Sequence, residues 1–152
     1  MNLNFSRRQE SADTYFESFL KSGDTIRVIS LGGTVFQSPK RGFSPLVSYI
    51  EQSSSIDEVV VLDKVTGNAA ALLMKKICCR KVFSPLGSEL AAETLKIFGI
   101  ARHFMKTVPY IINRGGNEMC PFEKMSIGKS PDEFYELVKS SPLFTDTPDS
   151  GR

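Results

Sequence analysis

The stretch VVVLDKVTGNAAALLMKK, residues 59–76, places a charged pair, Asp63-Lys64, at the seam between an apolar β-like run and a small-residue, helix-like run. A carboxylate at the carboxyl end of a central strand stands where open α/β sheets place ligands. The same residue can serve as the N-cap of the helix that follows, accepting a bond from the backbone of Thr66 or a neighbour. Lys64 would then lie in the first helical turn, where a cation opposes the helix dipole. It calls for a negative group nearby, either Asp63 or a bound anion. Gly67 costs a helix about 1 kcal/mol against Ala, so something must approach the backbone closely, a ligand or the sheet. Ala69, Ala70 and Ala71 fit the second option, a helix pressed onto its neighbours.

A second chemistry-bearing stretch is NRGGNEMCPFEK, residues 113–124. Cys120-Pro121-Phe122-Glu123 has the layout of a helix start, with Cys120 as cap, Pro121 first and Glu123 third. A thiol there can have a lowered pKa and act as a nucleophile if exposed. The alternative is a buried, inert cysteine beside a structural Glu. Asn113 and Arg114 with Gly115 and Gly116 can form an anion-gripping turn, although ordinary turn chemistry uses the same residue types. Arg41-Gly42 is a third candidate of that kind. A metal held by Asp63, Cys120 and Glu123 would lack imidazole and draw on distant positions, so no metal or other cofactor is expected. Cys78-Cys79 has no metal spacing and reads as core or helix-end filler.

Positioning these groups requires a sheet with helices around it. Apolar residues Ala12, Tyr15, Phe16, Phe19 and Leu20 share one helical face that ends at Gly23. TIRVISLGGTVFQS reads as an antiparallel hairpin around Gly32-Gly33. Ser44 and Pro45 open a helix over Pro45 to Gln52. DEVVVLD is apolar without alternation, the pattern of a strand covered on both faces. A helix from near Lys64 to about Lys76, the strand RKVFSPL and a helix capped by Ser88 and ended by Gly99 follow in alternation, which makes parallel neighbours. Extended chain runs through RHFMKTVPYIINR, broken at Pro109. The last helix starts SPDE, with Ser130 and Glu133 forming a capping box. The reading is a three-layer α/β/α sandwich whose mixed sheet opens with an antiparallel hairpin, formed by a single domain over residues 1–140. Residues 141–152 lack periodicity and are expected to be a mobile tail.

With 152 residues, the chain fits one domain. A formal charge of +2 with interleaved acids and bases gives no basic footprint for nucleic acid. Three cysteines, two of them adjacent, argue against a disulfide framework. The start MNLNFSRRQE is polar, and no run approaches a membrane span. These features point to a cytoplasmic protein without membrane or nucleic-acid partners.

The stretches RGFSPL, LDKVTGNAAALL, VPYIINR and CPFEKM resemble an uncharacterised bacterial and archaeal family with a cytidine deaminase-like fold. The resemblance implies that fold and a homo-oligomer, commonly a dimer. Zinc deaminases need a His or Cys ligand two residues before a Glu at one helix start, and Pro-Cys-x-x-Cys at the next. By the resemblance the first motif falls on Asp63-Lys64-Val65, with Val65 where the Glu should be. The second falls near FSPLGSE, where Ser84, Leu86 and Gly87 stand and no cysteine is present. The only histidine, His103, lies elsewhere. Zinc deamination is therefore not expected. Three functions stay open: a pocket for a nucleotide-like molecule, walled by Asp63, Lys64, Gly67, Asn113, Arg114, Glu123 and Arg41; a zinc-independent enzyme with Asp63 or Cys120 as nucleophile or base and Lys64 or Arg114 stabilising negative charge; and a non-catalytic, self-associating protein.

Overall fold

A computed structural model describes residues 2–31, 33–53, 56–113 and 115–141, with side chains described from residue 12 onward. The chain runs α1 (Asn2–Lys21), β1 (Ile26–Ser30), β2 (Gly33–Ser38), α2 (Ser44–Gln52), β3 (Val59–Asp63), β4 (Val65–Thr66), α3 (Asn68–Lys75) and β5 (Cys79–Ser88). It continues through α4 (Glu89–Ile97), β6 (Ala101–Val108), α5 (Pro121–Ser126) and α6 (Pro131–Lys139). Among the described residues, six helices accompany one six-stranded mixed sheet. Strand β1 is antiparallel to both β2 and β3, whereas β5 runs parallel to β3, β4 and β6. Residues Lys81 to Phe83 of β5 pair with β3 and also with β6, while Leu86 and Gly87 pair with β4 and with β6. Thus β4 continues the line of β3, and the sheet reads β2, β1, β3 with β4, β5, β6.

Every residue of β3 is buried, as its unbroken apolar run requires. Alternation along a strand sends Val59 and Val61 into a large cluster with Leu46 and Val47 of α2, Leu72 and Leu73 of α3, Leu95 of α4 and Phe134 of α6. Val60 and Leu62 point the other way and pack with Phe16 and Phe19 of α1, Ile29 and Phe83. The α3 and α4 segments supply the crossovers that parallel neighbours need. Among the described residues, no helix is long and apolar enough to cross a membrane.

Several boundaries differ from the sequence reading. Helix α3 begins at Asn68, not near Lys64, because residues 64–67 stay extended: Lys64 N–H donates to the Thr25 carbonyl at 2.9 Å, and Val65 and Thr66 pair with β5. β-branched residues suit that conformation. Helix α2 starts at Ser44 itself, with Phe43 as its N-cap residue and no side-chain capping bond. In the hairpin, Ser30 pairs with Gly33, so the connecting residues are 31 and 32 rather than Gly32-Gly33. Gly32 and residues 142–152 lie outside the described residues, and so does the expectation of a mobile tail over 141–152 apart from its first residue, Ser141, which is buried and donates its N–H to the Val138 carbonyl. Cys78 closes the end of α3 at a left-handed φ of 59°, while Cys79 is buried as the first residue of β5. The α6 capping box forms as read: Ser130 Oγ accepts from Glu133 N–H at 3.1 Å and Glu133 Oε1 from Ser130 N–H at 2.9 Å.

Gly87 fixes how β6 lies on β5. A Cβ there would stand 2.2 Å from the Phe104 ring, which occupies the space a side chain would take. Gly87→Ala is expected to lower stability by about 1–3 kcal/mol through overpacking. In a Phe104→Ala background that penalty should largely vanish, and a double-mutant cycle of urea melts checks the coupling.

Candidate functional site

A cavity of about 410 Å³ opens where the carboxyl end of β3, the first turn of α3, the residues leading into α2 and the segment around α5 meet. Asp63 forms part of its wall and is 7% exposed. One of its oxygens accepts from the Thr66 hydroxyl at 3.2 Å, and the Val65 backbone N–H also bonds to the carboxyl. Asp63 therefore closes a local turn and does not cap α3. Desolvation by burial pushes its pKa up to about 7 and outweighs both hydrogen bonds, which pull the other way.

Lys64 is adjacent in sequence but faces away. Its ammonium donates to the carbonyls of Ser22 at 3.0 Å and Asp24 at 2.8 Å and lies 4.8 Å from the centroid of the Phe19 ring. Strand alternation explains the split: Asp63 follows Val59 and Val61 to the α2–α3 side, and Lys64 follows Leu62 to the α1 side. Lys64 thus ties the end of α1 to the sheet. Lys64 also borders the cavity, but its ammonium is engaged by the two carbonyls, and the expectation of a charge-stabilising Lys64 is corrected accordingly.

Glu123 is 2% exposed, and its carboxyl holds two elements together. Oε1 accepts from Asn68 N–H at 2.6 Å, which caps the start of α3, and Oε2 accepts from Ile111 N–H at 2.9 Å. This explains Gly67: a Cβ there would stand 2.7 Å from Glu123 Oε1 and 3.0 Å from Ile111 Cγ1. The close approach at Gly67 comes from an internal side chain. Asn68 extends the network, donating to Ser126 Oγ at 2.9 Å and accepting from the Thr94 hydroxyl. Among the described residues, no buried side-chain nitrogen or oxygen lacks a partner.

Cys120 is the N-cap residue of α5, makes no side-chain capping bond, is half-buried and borders the same cavity as Asp63. Arg41 is exposed and borders the cavity at its solvent side. Asn113 does not line the cavity. Its side chain and carbonyl both accept from Gly116 N–H, at 3.0 and 2.9 Å, which is turn chemistry. Arg114 lies outside the described residues. His103 sits on β6, edge-on to Phe16 on the α1 side. Among the described residues, no three His, Cys, Asp or Glu side chains gather as a metal site. Sequence reasoning missed the apolar walls Phe43, Leu46, Ile111 and Phe122. Their signal was local: Phe43 directly follows Arg41-Gly42, and Phe122 directly precedes Glu123.

The raised Asp63 pKa sets the sign of a pH effect. Folding holds a proton that the unfolded chain releases above about 3.8, so stability is greatest at the acid side of the window and falls as pH rises towards about 7. Urea melts from about pH 5 to about pH 8 should show this decline. Asp63→Asn should flatten it and leave the protein more stable than wild type at the alkaline end by roughly a few kcal/mol.

No curated protein matches this chain. The crystal structure of a DUF1893 family protein (TM1506) from Thermotoga maritima superposes with a TM-score of 0.76 at 26% sequence identity, covering 87% of this chain and 88% of that one. The family model described as TM1506, a domain of unknown function (DUF1893), matches residues 16–141. With most of its length matched and the fold shared, the chain belongs to the DUF1893 family, whose function is unknown.

Proposed function

We propose that the cavity binds a small, flat, nucleotide-like molecule, with its ring among the apolar walls and its anionic group at Arg41. The observation that carries this reading is the buried carboxyl of Asp63 at the carboxyl end of a central strand, in the wall of a mainly apolar cavity whose other buried carboxyl, Glu123, is taken up by two backbone amides. A volume of about 410 Å³ lies within the range of small-molecule sites. Phe43, Leu46, Ile111 and Phe122 offer stacking and apolar surface, and Arg41 makes no hydrogen bond or ion pair among the described residues. We read the architecture as a cytidine deaminase-like, three-layer sandwich. Support comes from α1 packing against one set of β3 side chains while α2, α3, α4 and α6 pack against the other.

Zinc does not fit this site. At the first motif the side chains are Asp63, Lys64 and Val65, and Lys64 is engaged with carbonyls on the far side. At the second, Ser84 Oγ is bound to the Leu86 carbonyl at 2.8 Å, while Leu86 and Gly87 carry no ligand atom. Neither a ligand set nor a proton-shuttling Glu is present at those positions. A second reading, a zinc-independent enzyme, draws on the shared cavity of Asp63 and Cys120. There the thiol would be the nucleophile and Asp63 the base.

The test is an amide-resolved NMR titration with nucleoside monophosphates and the corresponding nucleosides. Shifts should concentrate at Ala69, Ala70, Ile111 and Cys120. Arg41→Ala should weaken the nucleotides by about tenfold while leaving nucleosides unchanged. Shifts confined to other surfaces, or none for any nucleotide, would overturn the reading.

A further inference from the structure

Charge is unevenly distributed around the cavity. Two carboxyls, Asp63 and Glu123, are buried in its wall, and the cation Arg41 stands at the solvent side. Glu123 spends each oxygen on a backbone N–H of another element, Asn68 or Ile111, and so joins two parts of the fold. Asp63 takes the same number of bonds, but both come from its own turn. It takes one hydroxyl and one backbone N–H, whereas a carboxylate offers about four acceptor sites.

Among the described residues, no cation pairs with Asp63. The ammonium of Lys64 is bound to two carbonyls on the opposite side of the sheet, and the two ion pairs present are Arg27 with Asp24 and Lys76 with Asp132. Burial dominates the Asp63 environment, which is what holds its proton on to near neutral pH. The walls beside it, Leu46, Ala69 and Ala70, are apolar. An acid left this way is electrostatically incomplete. A ligand that brings N–H donors and positive charge adds the countercharge that no described side chain supplies, and one that brings a second acid sets like charges together in a low dielectric.

Within the ligand-binding reading above, on which this inference rests, we propose that the cavity selects a flat apolar ligand ending in an amidinium or a protonated amine. That end goes inward against Asp63, and any anionic end stays outward at Arg41. An amidinium matches a carboxylate with two parallel N–H bonds. A neutral amide of the same shape offers fewer donors and no charge, and a carboxylate offers repulsion. Asp63 is then the specificity-determining residue, and the apolar walls accept any ring of suitable size.

Four probes of nearly one shape test this: benzamidine, benzylamine, benzamide and benzoate, titrated into the full chain at neutral pH by NMR. Benzamidine and benzylamine should shift the amides of Ala69, Ala70 and Ile111 and bind at least about tenfold tighter than benzamide, with benzoate weakest. Asp63→Asn should erase the ranking. If that variant fails to fold, the wild-type ranking still decides. Equal affinity for benzamidine and benzamide, preference for benzoate, or an unchanged ranking in Asp63→Asn would overturn the inference. Nucleotides binding in the cavity with no ranking among the probes would overturn it alone. Silence at the cavity amides for every probe and every nucleotide would remove the ligand-binding reading as well.

Discussion

The Glu123 carboxyl is the interaction on which the site depends. It satisfies the first amide of α3 and the amide of Ile111 at once, joining a helix start to a loop 12 residues before it in sequence and to a helix 55 residues before it. A helix start buried without a partner is costly, and Gly67 removes the side chain that would block this one. Because Ile111, Cys120 and Phe122 belong to the clamped segment, one wall of the cavity exists through this clamp.

The second determinant is the change of face between Asp63 and Lys64. One step along an extended chain places an acid beside the cavity and its neighbouring cation on the far side of the sheet, where it fastens α1. Paired, the two would have neutralised each other. Separated by the sheet, they leave a carboxyl whose only compensation is a hydroxyl and an amide. The fold spends part of its stability on holding that acid in a dry place. Such an arrangement is common where chemistry or recognition takes place.

Legibility in the sequence followed the range of the forces involved. VVVLD announced a strand covered on both faces, and S-P-D-E announced a capping box, because each signal is complete within a few residues. The start of α3 was misread because the extended state of residues 64–67 depends on pairing with β5, some twenty residues away. The direction of Lys64 was lost with it, since alternation gives the face only once the chain is known to be extended there. Glu123 was read as serving its own helix, the local pattern, whereas its partners are Asn68 and Ile111. Whether Asp63 and Cys120 share a cleft was not legible, because it depends on the packing of the α5 segment; both border one cavity with Arg41, and Asn113 lies off it.

Gly67 and Glu123 also constrain how this sequence can drift. With Glu123 in place, any side chain at position 67 collides with its carboxyl. A shorter residue at 123 frees that space but leaves two amides without acceptors. Neither change is neutral first, yet a change at 123 opens the way for one at 67, and the reverse order does not. The pair therefore acts as a ratchet in sequence space. Among relatives that keep this cavity, the two positions should be inherited together, and a relative with a side chain at 67 should cap its α3 by other means.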